Sequence, residues 1–179
     1  AVSNTYTLGY SFGSGVTIPG TGILMNNQMN NFAYRYGDTS VSGRAASPAN
    51  KFEAGKRPMS TMTPTMVFNR SGELTLVTGS PGGSFIPAAV LRVVSGIIDF
   101  NLNIGEATML PRIHKDWPYS GLDHESILSS DISRQLGIMG HQPESQKTMG
   151  STQSIHIKDG IKNGYADLRR PGAAVSIQR

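Results

Sequence analysis

The sequence predicts a layered α+β fold built on an antiparallel sheet. Three observations predict it. Short strand-like segments bounded by turns gather toward both ends of the chain, and segments of helical patterning lie between them. The 21 Gly and 10 Pro among 179 residues supply more turns than a helical bundle uses. No internal repeat and no heptad pattern competes with this reading. A chain that is 37% hydrophobic and 16% charged can bury a core, and its length suits one domain over residues 1–179.

The elements follow in order. Residues 4–10 (NTYTLGY) are rich in Thr and Tyr and predict a strand. SFGSG and PGTG are turns around a short strand at residues 16–18, and residues 22–27 form a further strand or strand end. Residues 34–54 are polar, Gly/Ser-rich and without period, which predicts a long loop of the kind used as a lid or binding loop. Residues 65–68 and 74–78 flank Asn69-Arg70-Ser71-Gly72, a hairpin signal. Residues 86–98 are apolar on most faces and predict a buried helix. In residues 126–138, Ile127, Leu128, Ile132 and Leu136 recur at helical spacing up to a stop near Gly140. Residues 154–158 and 164–168 make a second hairpin across a loop containing Asp-Gly.

Several functions are excluded by composition. With no Cys there is neither a disulfide nor a thiolate nucleophile. The net charge is +4, but the basic residues are scattered apart from Lys56-Arg57 and Arg169-Arg170, and no aromatic stripe accompanies them, so no nucleic-acid interface is predicted. The longest apolar stretch, residues 85–104, is broken by Pro87, Arg92, Asp99 and two Asn, which predicts a buried helix and no membrane span. His114, His124, His141 and His156 form no HxH or HExxH pair, so no metal site is expected, and His114 near Trp117 reads as packed or at an interface. No GxSxG elbow supports a Ser-His-Asp triad. No signal peptide opens the chain; in a processed fragment the targeting signal would lie elsewhere.

Four segments carry candidate chemistry. In TGSPGGS, residues 78–84, a strand runs in and a helix runs out. Adjacent glycines adopt conformations closed to other residues, and a helix start adds N–H groups and partial positive charge, which suits an anion or a developing oxyanion. Taken alone the segment reads more simply as a tight strand-to-helix turn, and it lacks the Gly-Lys-Ser/Thr of a Walker loop. In GKRPMSTMTP, residues 55–64, hydroxyls stand between prolines and can hold a carboxylate, or simply form a turn before a strand. NNQMNNF, residues 26–32, offers five amides to a polar ligand, or stabilises a strand end through Asx turns. MGSTQSI, residues 149–155, reads as sheet packing around a glycine bulge.

Six segments in register, AVSNTYTLGYSFGSG, GILMNNQMNNF, SPANKFEAGKRPMSTMTPT, LVTGSPGGS, EATMLPRIH and MGSTQSI, together with the ending YADLRRPGA, resemble the small subunit of the γ-glutamyltranspeptidases, which are N-terminal-nucleophile hydrolases. The resemblance covers nearly the whole chain. It implies half of a four-layer αββα sandwich, completed by a large N-terminal subunit cut from the same precursor. It implies γ-glutamyl hydrolysis or transfer through a Thr acyl-enzyme, with no cofactor and no metal. That Thr is expected about a dozen residues before Ala1, where its own α-amine serves as base, so the chain as it stands is expected to be catalytically incomplete. A periplasmic or secreted location is implied by the family, although a cytoplasmic one stays open.

The family's roles carry over by position. Thr7 matches the second Thr, which hydrogen-bonds the nucleophile. Gly82 and Gly83 match the oxyanion donors, Ser60 and Thr61 a hydroxyl pair for the donor carboxylate, and Gln28 a contact to the donor's amino end. Two positions depart. Gly9 stands where the family usually has Asn, leaving space for a water or a different substrate group, and Asn31 stands where it usually has an Asp that pairs with the donor amine. A donor whose amine is absent or acylated, such as a glutaryl amide or internal poly-γ-glutamate, is therefore an alternative to glutathione. A cephalosporin-acylase-like amidase and a non-catalytic relative are the further alternatives.

Overall fold

The computed structural model describes residues 1–33, 47–116, 121–146 and 148–177, so most of the loop expected at 34–54 lies outside the described residues, as does Trp117. The chain divides into two compact units: Ala1–Thr5 with Met62–Arg179, and Tyr6–Thr61.

The larger unit opens with the predicted hairpin. Strands β1 (Thr65–Phe68) and β2 (Leu74–Gly79) pair antiparallel. The turn is local chemistry: Asn69 Oδ1 accepts from the N–H groups of Ser71 (3.0 Å) and Glu73 (2.9 Å), and Gly72 takes φ +81°. After a short 3-10 turn, helix α1 (Ile86–Ile98) begins with Pro87 in its first turn, where a missing N–H is harmless. The helix is not apolar all round in its packing. It buries Ile86, Ala89, Val90, Val93 and Gly96, while Leu91 stays exposed, because only one face lies on the sheet.

Helix α2 (Ile104–Met109) went unpredicted although its start is written in the sequence. Asn103 Oδ1 accepts from Glu106 N–H and Glu106 Oε2 accepts from Asn103 N–H, a reciprocal cap. It crosses close to α1, since a Cβ at Gly96 would lie 2.9 Å from Ala107 Cβ. Strands β3 (Ile113–His114) and β4 (Gly121–Glu125) pair antiparallel, and β4 pairs parallel with β5 (Gln142–Gln146) after helix α3 (Ser130–Ile138). The helix expected at 126–138 thus starts later, at a Ser129 cap, because Leu128 N–H closes a turn on Glu125 O.

Strands β6 (Gln153–Lys158) and β7 (Ile161–Ala166) form the second hairpin. Its return strand begins sooner than residues 164–168 suggested. Asp159 (φ +51°) and Gly160 (φ +75°) alone make the turn, both in the left-handed region that a tight two-residue hairpin needs. The main sheet runs β1-β2-β6-β7, with α1 and α2 on one face around Leu76, Val93 and Ile104. Met66, Val77 and Ile155 are cross-strand neighbours on the opposite face, and Met66 and Ile155 are exposed there. A sheet with helices on one side and exposed apolar Met66 and Ile155 on the other is the αβ half of a four-layer sandwich.

The smaller unit has little regular structure. Thr17 and Leu24 form an isolated bridge, so the strands expected at 16–18 and 22–27 shrink to one rung. The strand expected at 4–10 does not form: among the described residues no strand ladder includes it, and its ties to Asn27 are isolated bonds. Two 3-10 turns, Gln28–Asn31 and Pro48–Asn50, are tied by a parallel bridge between Ala33 and Lys51 and by edge-to-face contact of Phe32 with Phe52.

Candidate functional site

The residues predicted to act together fall in both units. In the larger unit, β2 delivers the chain into Ser80-Pro81-Gly82-Gly83-Ser84. Gly82 has φ +141° and Gly83 φ +60°, so both need the freedom of glycine. Gly82 also lies against another backbone: a Cβ there would stand 3.0 Å from Gly150 Cα. Phe85 N–H closes a 3-10 turn on Gly82 O (3.1 Å), and α1 follows directly. Both glycines therefore stand at a strand-to-helix junction directly before a helix start.

What holds this turn is a segment that sequence reasoning read as mere packing. Gly150 takes φ +69° and fits against Ser80 and Pro81; a Cβ on it would meet Ser80 Oγ at 2.6 Å and Pro81 O at 3.0 Å. Buried Ser80 donates to Pro81 O (2.7 Å) and accepts from Ser151 N–H (2.9 Å). Both backbone polar groups of buried Met149 are also fixed: its N–H donates to Glu125 Oε1 (3.0 Å) and its O accepts from Arg112 Nη1 (2.6 Å). Thr152 N–H donates to Asp167 Oδ2 (2.8 Å).

These partners form a buried network of four charges. Arg112 Nη2 meets Asp167 Oδ2 at 2.6 Å, and Arg169 reaches Glu125 through Nε (2.6 Å) and Nη2 (2.5 Å) and Asp167 through Nη1 (3.2 Å). Burial pushes the Glu125 carboxyl up, but the Arg169 hydrogen bond, the Met149 N–H and the Arg169 charge outweigh it and hold the group below its ordinary value. Asp167 is likewise held low: burial is outweighed by the Arg169 N–H and by the bond and charge of Arg112. Arg169 is raised, Glu125 outweighing its burial, whereas burial and the like charge of Arg169 push Arg112 down. Buried charges are tolerated when each is paired and hydrogen-bonded, and these are. His114 packs as expected, edge-to-face on Phe85 with ring centres 5.0 Å apart and with Nε2 3.1 Å from Asp116 Oδ1.

In the smaller unit, hydrogen bonds bring the predicted donor-binding segments together. Asn27 N–H donates to Leu8 O (2.9 Å), and Asn27 Oδ1 accepts from Tyr10 N–H (3.2 Å), which joins the Thr7–Gly9 stretch to Gln28. The space expected at Gly9 is taken. Gly9 has φ +91°, and a Cβ there would fall 1.8 Å from Asn27 Oδ1, so an amide already occupies it. Asn50 makes the other tie. Its Nδ2 donates to Asn31 O (2.6 Å) and its Oδ1 accepts from Met59 N–H (2.9 Å), linking Asn31 to the segment that continues into Ser60 and Thr61. Asn50 and Asn27 were not singled out in the sequence, though both lie inside segments that were. Among the described residues no group of three or more His, Cys, Asp and Glu could hold a metal ion, and no helix is long and apolar enough to cross a membrane.

Known proteins resemble this chain. The Gamma-glutamyltranspeptidase family profile matches residues 1–177. A Glutathione hydrolase proenzyme of Escherichia coli (strain K12) is 43% identical over 170 residues, covering 94% of this chain and 29% of the relative. The chain spans under a third of the length of the first curated relatives it matches (29% and 32%). The structure of gamma-glutamyltranspeptidase from Pseudomonas nitroreducens complexed with L-DON superposes with TM-score 0.90 at 34% identity, over 99% of this chain and 93% of that one. A cephalosporin acylase from Bacillus halodurans is more distant, at 26% identity and TM-score 0.78, over 93% of this chain and 30% of the other.

Proposed function

Because this chain belongs to the γ-glutamyltranspeptidase family, we propose that the protein it forms part of hydrolyses or transfers γ-glutamyl groups through a Thr acyl-enzyme. The observation that carries the reading is the strand–turn–helix junction at Ser80–Ser84, with Gly82 and Gly83 at positive φ and Gly82 seated on Gly150.

The chain's own residues take definite parts. The donor carbonyl oxygen sits at the N–H groups of Gly82 and Gly83, which stabilise its charge as the tetrahedral intermediate forms. Thr7 accepts from or donates to the nucleophile, a Thr supplied by residues preceding Ala1, whose α-amine takes the hydroxyl proton. Ser60 and Thr61 hold the donor's α-carboxylate, and Gln28 and Asn31 face its amino end. The amine leaves, and water or a second amine then takes the acyl group. A large subunit from the same precursor covers exposed Met66 and Ile155 and adds an Arg to the carboxylate site; the proenzyme name of the E. coli relative supports processing of this kind.

A second reading, a glutaryl- or cephalosporin-type amidase or a poly-γ-glutamate-processing enzyme, is favoured by one observation. Asn31 offers a neutral amide where a charged donor amine would call for a carboxylate. Assaying the whole protein on γ-glutamyl and glutaryl anilides separates the two. Preferential release from the γ-glutamyl compound supports the first reading and preferential release from the glutaryl compound the second. Release from neither, with a non-nucleophilic residue at the processing junction, points to a non-catalytic relative.

A further inference from the structure

Neither of the roles assigned above uses the four buried charges, yet they converge on one short piece of backbone. The segment from Met149 to Thr152 is fixed at both ends. At one end Glu125 and Arg112 take the N–H and O of Met149; at the other Asp167 takes the N–H of Thr152, and Asp167 N–H returns a bond to Thr152 O (3.2 Å). The two middle residues, Gly150 and Ser151, are the ones that touch Ser80, Pro81 and Gly82. A glycine at each side of that contact lets the backbones approach without side chains between them. Any shift of the 149–152 segment is therefore transmitted to Gly82.

The carboxylates differ in what they do. Asp167 binds both arginines and Thr152 and closes the network. Glu125 joins the smaller sheet to the segment: it stands at the end of β4, accepts from Arg112 N–H (3.1 Å), and grips Arg169 with both oxygens while one of them also receives Met149 N–H. We propose that Glu125 is a positioning residue for the oxyanion turn, acting through Met149–Gly150–Ser151 to set the N–H of Gly82. This rests on the acyl-transfer reading above.

Oxyanion donors act mainly on the transition state, and a displaced donor therefore lowers turnover and leaves donor binding nearly unchanged. A purely structural Glu125 would instead reduce the amount of folded enzyme and leave turnover per active site intact. The test is steady-state hydrolysis of a γ-glutamyl anilide by the complete processed enzyme, with active sites counted by a covalent titrant. Two variants are compared with wild type: Glu125→Gln, which keeps the shape and removes the charge, and Ser80→Ala, which cuts the bond to Ser151 N–H and leaves every ion pair in place. Both should lose about tenfold or more in kcat per active site, with KM within about threefold. Wild-type kcat per site in Ser80→Ala, or in a folded Glu125→Gln, overturns the inference. If Glu125→Gln fails to fold, Ser80→Ala decides. An inactive wild type would instead sink the acyl-transfer reading itself.

Discussion

The two glycines of the proposed oxyanion turn should respond unequally to the same small change. Alanine at position 83 meets nothing within 4 Å, and the backbone there has φ +60°, the ordinary left-handed region. The cost is the left-handed penalty alone, about 1–2 kcal/mol. If the turn relaxes to relieve all of it, turnover falls by up to about thirtyfold. Alanine at position 82 faces φ +141° and a Cβ 3.0 Å from Gly150 Cα. Backbone strain of about 1–3 kcal/mol is joined by a contact that only backbone movement can relieve. The neighbour cannot give cheaply, because Met149 and Thr152 on either side of it are hydrogen-bonded to Glu125, Arg112 and Asp167. The turn must move instead, and it carries the N–H. Losing one such donor typically costs about 10²–10³ in rate. Gly82→Ala should therefore lose at least about a hundredfold in kcat and Gly83→Ala about thirtyfold or less, both with little change in KM. The assay is anilide release per titrated active site in the processed enzyme. Equal kcat values for the two variants, or near-normal turnover in Gly82→Ala, would refute the reasoning.

Further outcomes are expected. Asn31→Asp should improve use of donors with a free charged amine by about ten- to hundredfold, mainly through KM, because a charge-assisted bond replaces a neutral one; no gain in kcat/KM for a γ-glutamyl anilide relative to a glutaryl one would count against that placement of the amine. Asn50→Ala should raise KM for the donor with a smaller effect on kcat, since it releases Asn31 and Met59 together; an unchanged KM removes Asn50 from the site's framework. Glu125 and Asp167 are held low in the fold, so in the window below the ordinary carboxylate value of about 4 the unfolded chain binds more protons. Their stabilisation is complete above that value and is lost as pH falls through the depressed folded values, and Glu125→Gln should flatten the acid limb of the unfolding profile; an unaltered acid limb contradicts the assignment. Gly160→Ala should destabilise the β6–β7 hairpin by about 1 kcal/mol through its φ of +75°, read as a lower thermal midpoint; no shift would mean that the turn is not under that constraint.

What could be read from the sequence was what neighbouring residues decide among themselves. Asn69-Arg70-Ser71-Gly72 and Asp159-Gly160 fold back on their own hydrogen bonds and φ angles, so both hairpins were visible, the second with its return strand placed too late. The bounds of α1 were written in its apolar run. Strand β5 was not legible: QPESQ has no alternation, and Pro143 is tolerated only because the strand lies at the edge of its sheet. The expected strand at residues 4–10 failed for the converse reason, having the composition and no strand ladder to join among the described residues. In the site, the glycine pair and the Asn-rich segment drew notice through local composition. Glu125 and Arg169, 44 residues apart, and Arg112 and Asp167, 55 apart, gave no local sign of meeting. Position 9 was misjudged because the side chain that fills it comes from Asn27.

The seat beneath the Gly82–Gly83 turn also sets an order of manufacture. Gly82 and Gly83 emerge from a ribosome well before Glu125, and Glu125 well before Asp167 and Arg169. Until that last pair is translated, Arg112 and Glu125 lack their counter-charges and the Met149–Thr152 segment has only part of its anchorage. A nascent chain halted after β6 would thus hold every glycine of the turn and still lack the clamp that fixes it. Until Asp167 and Arg169 are made, the turn is present without the ion pairs that anchor its seat.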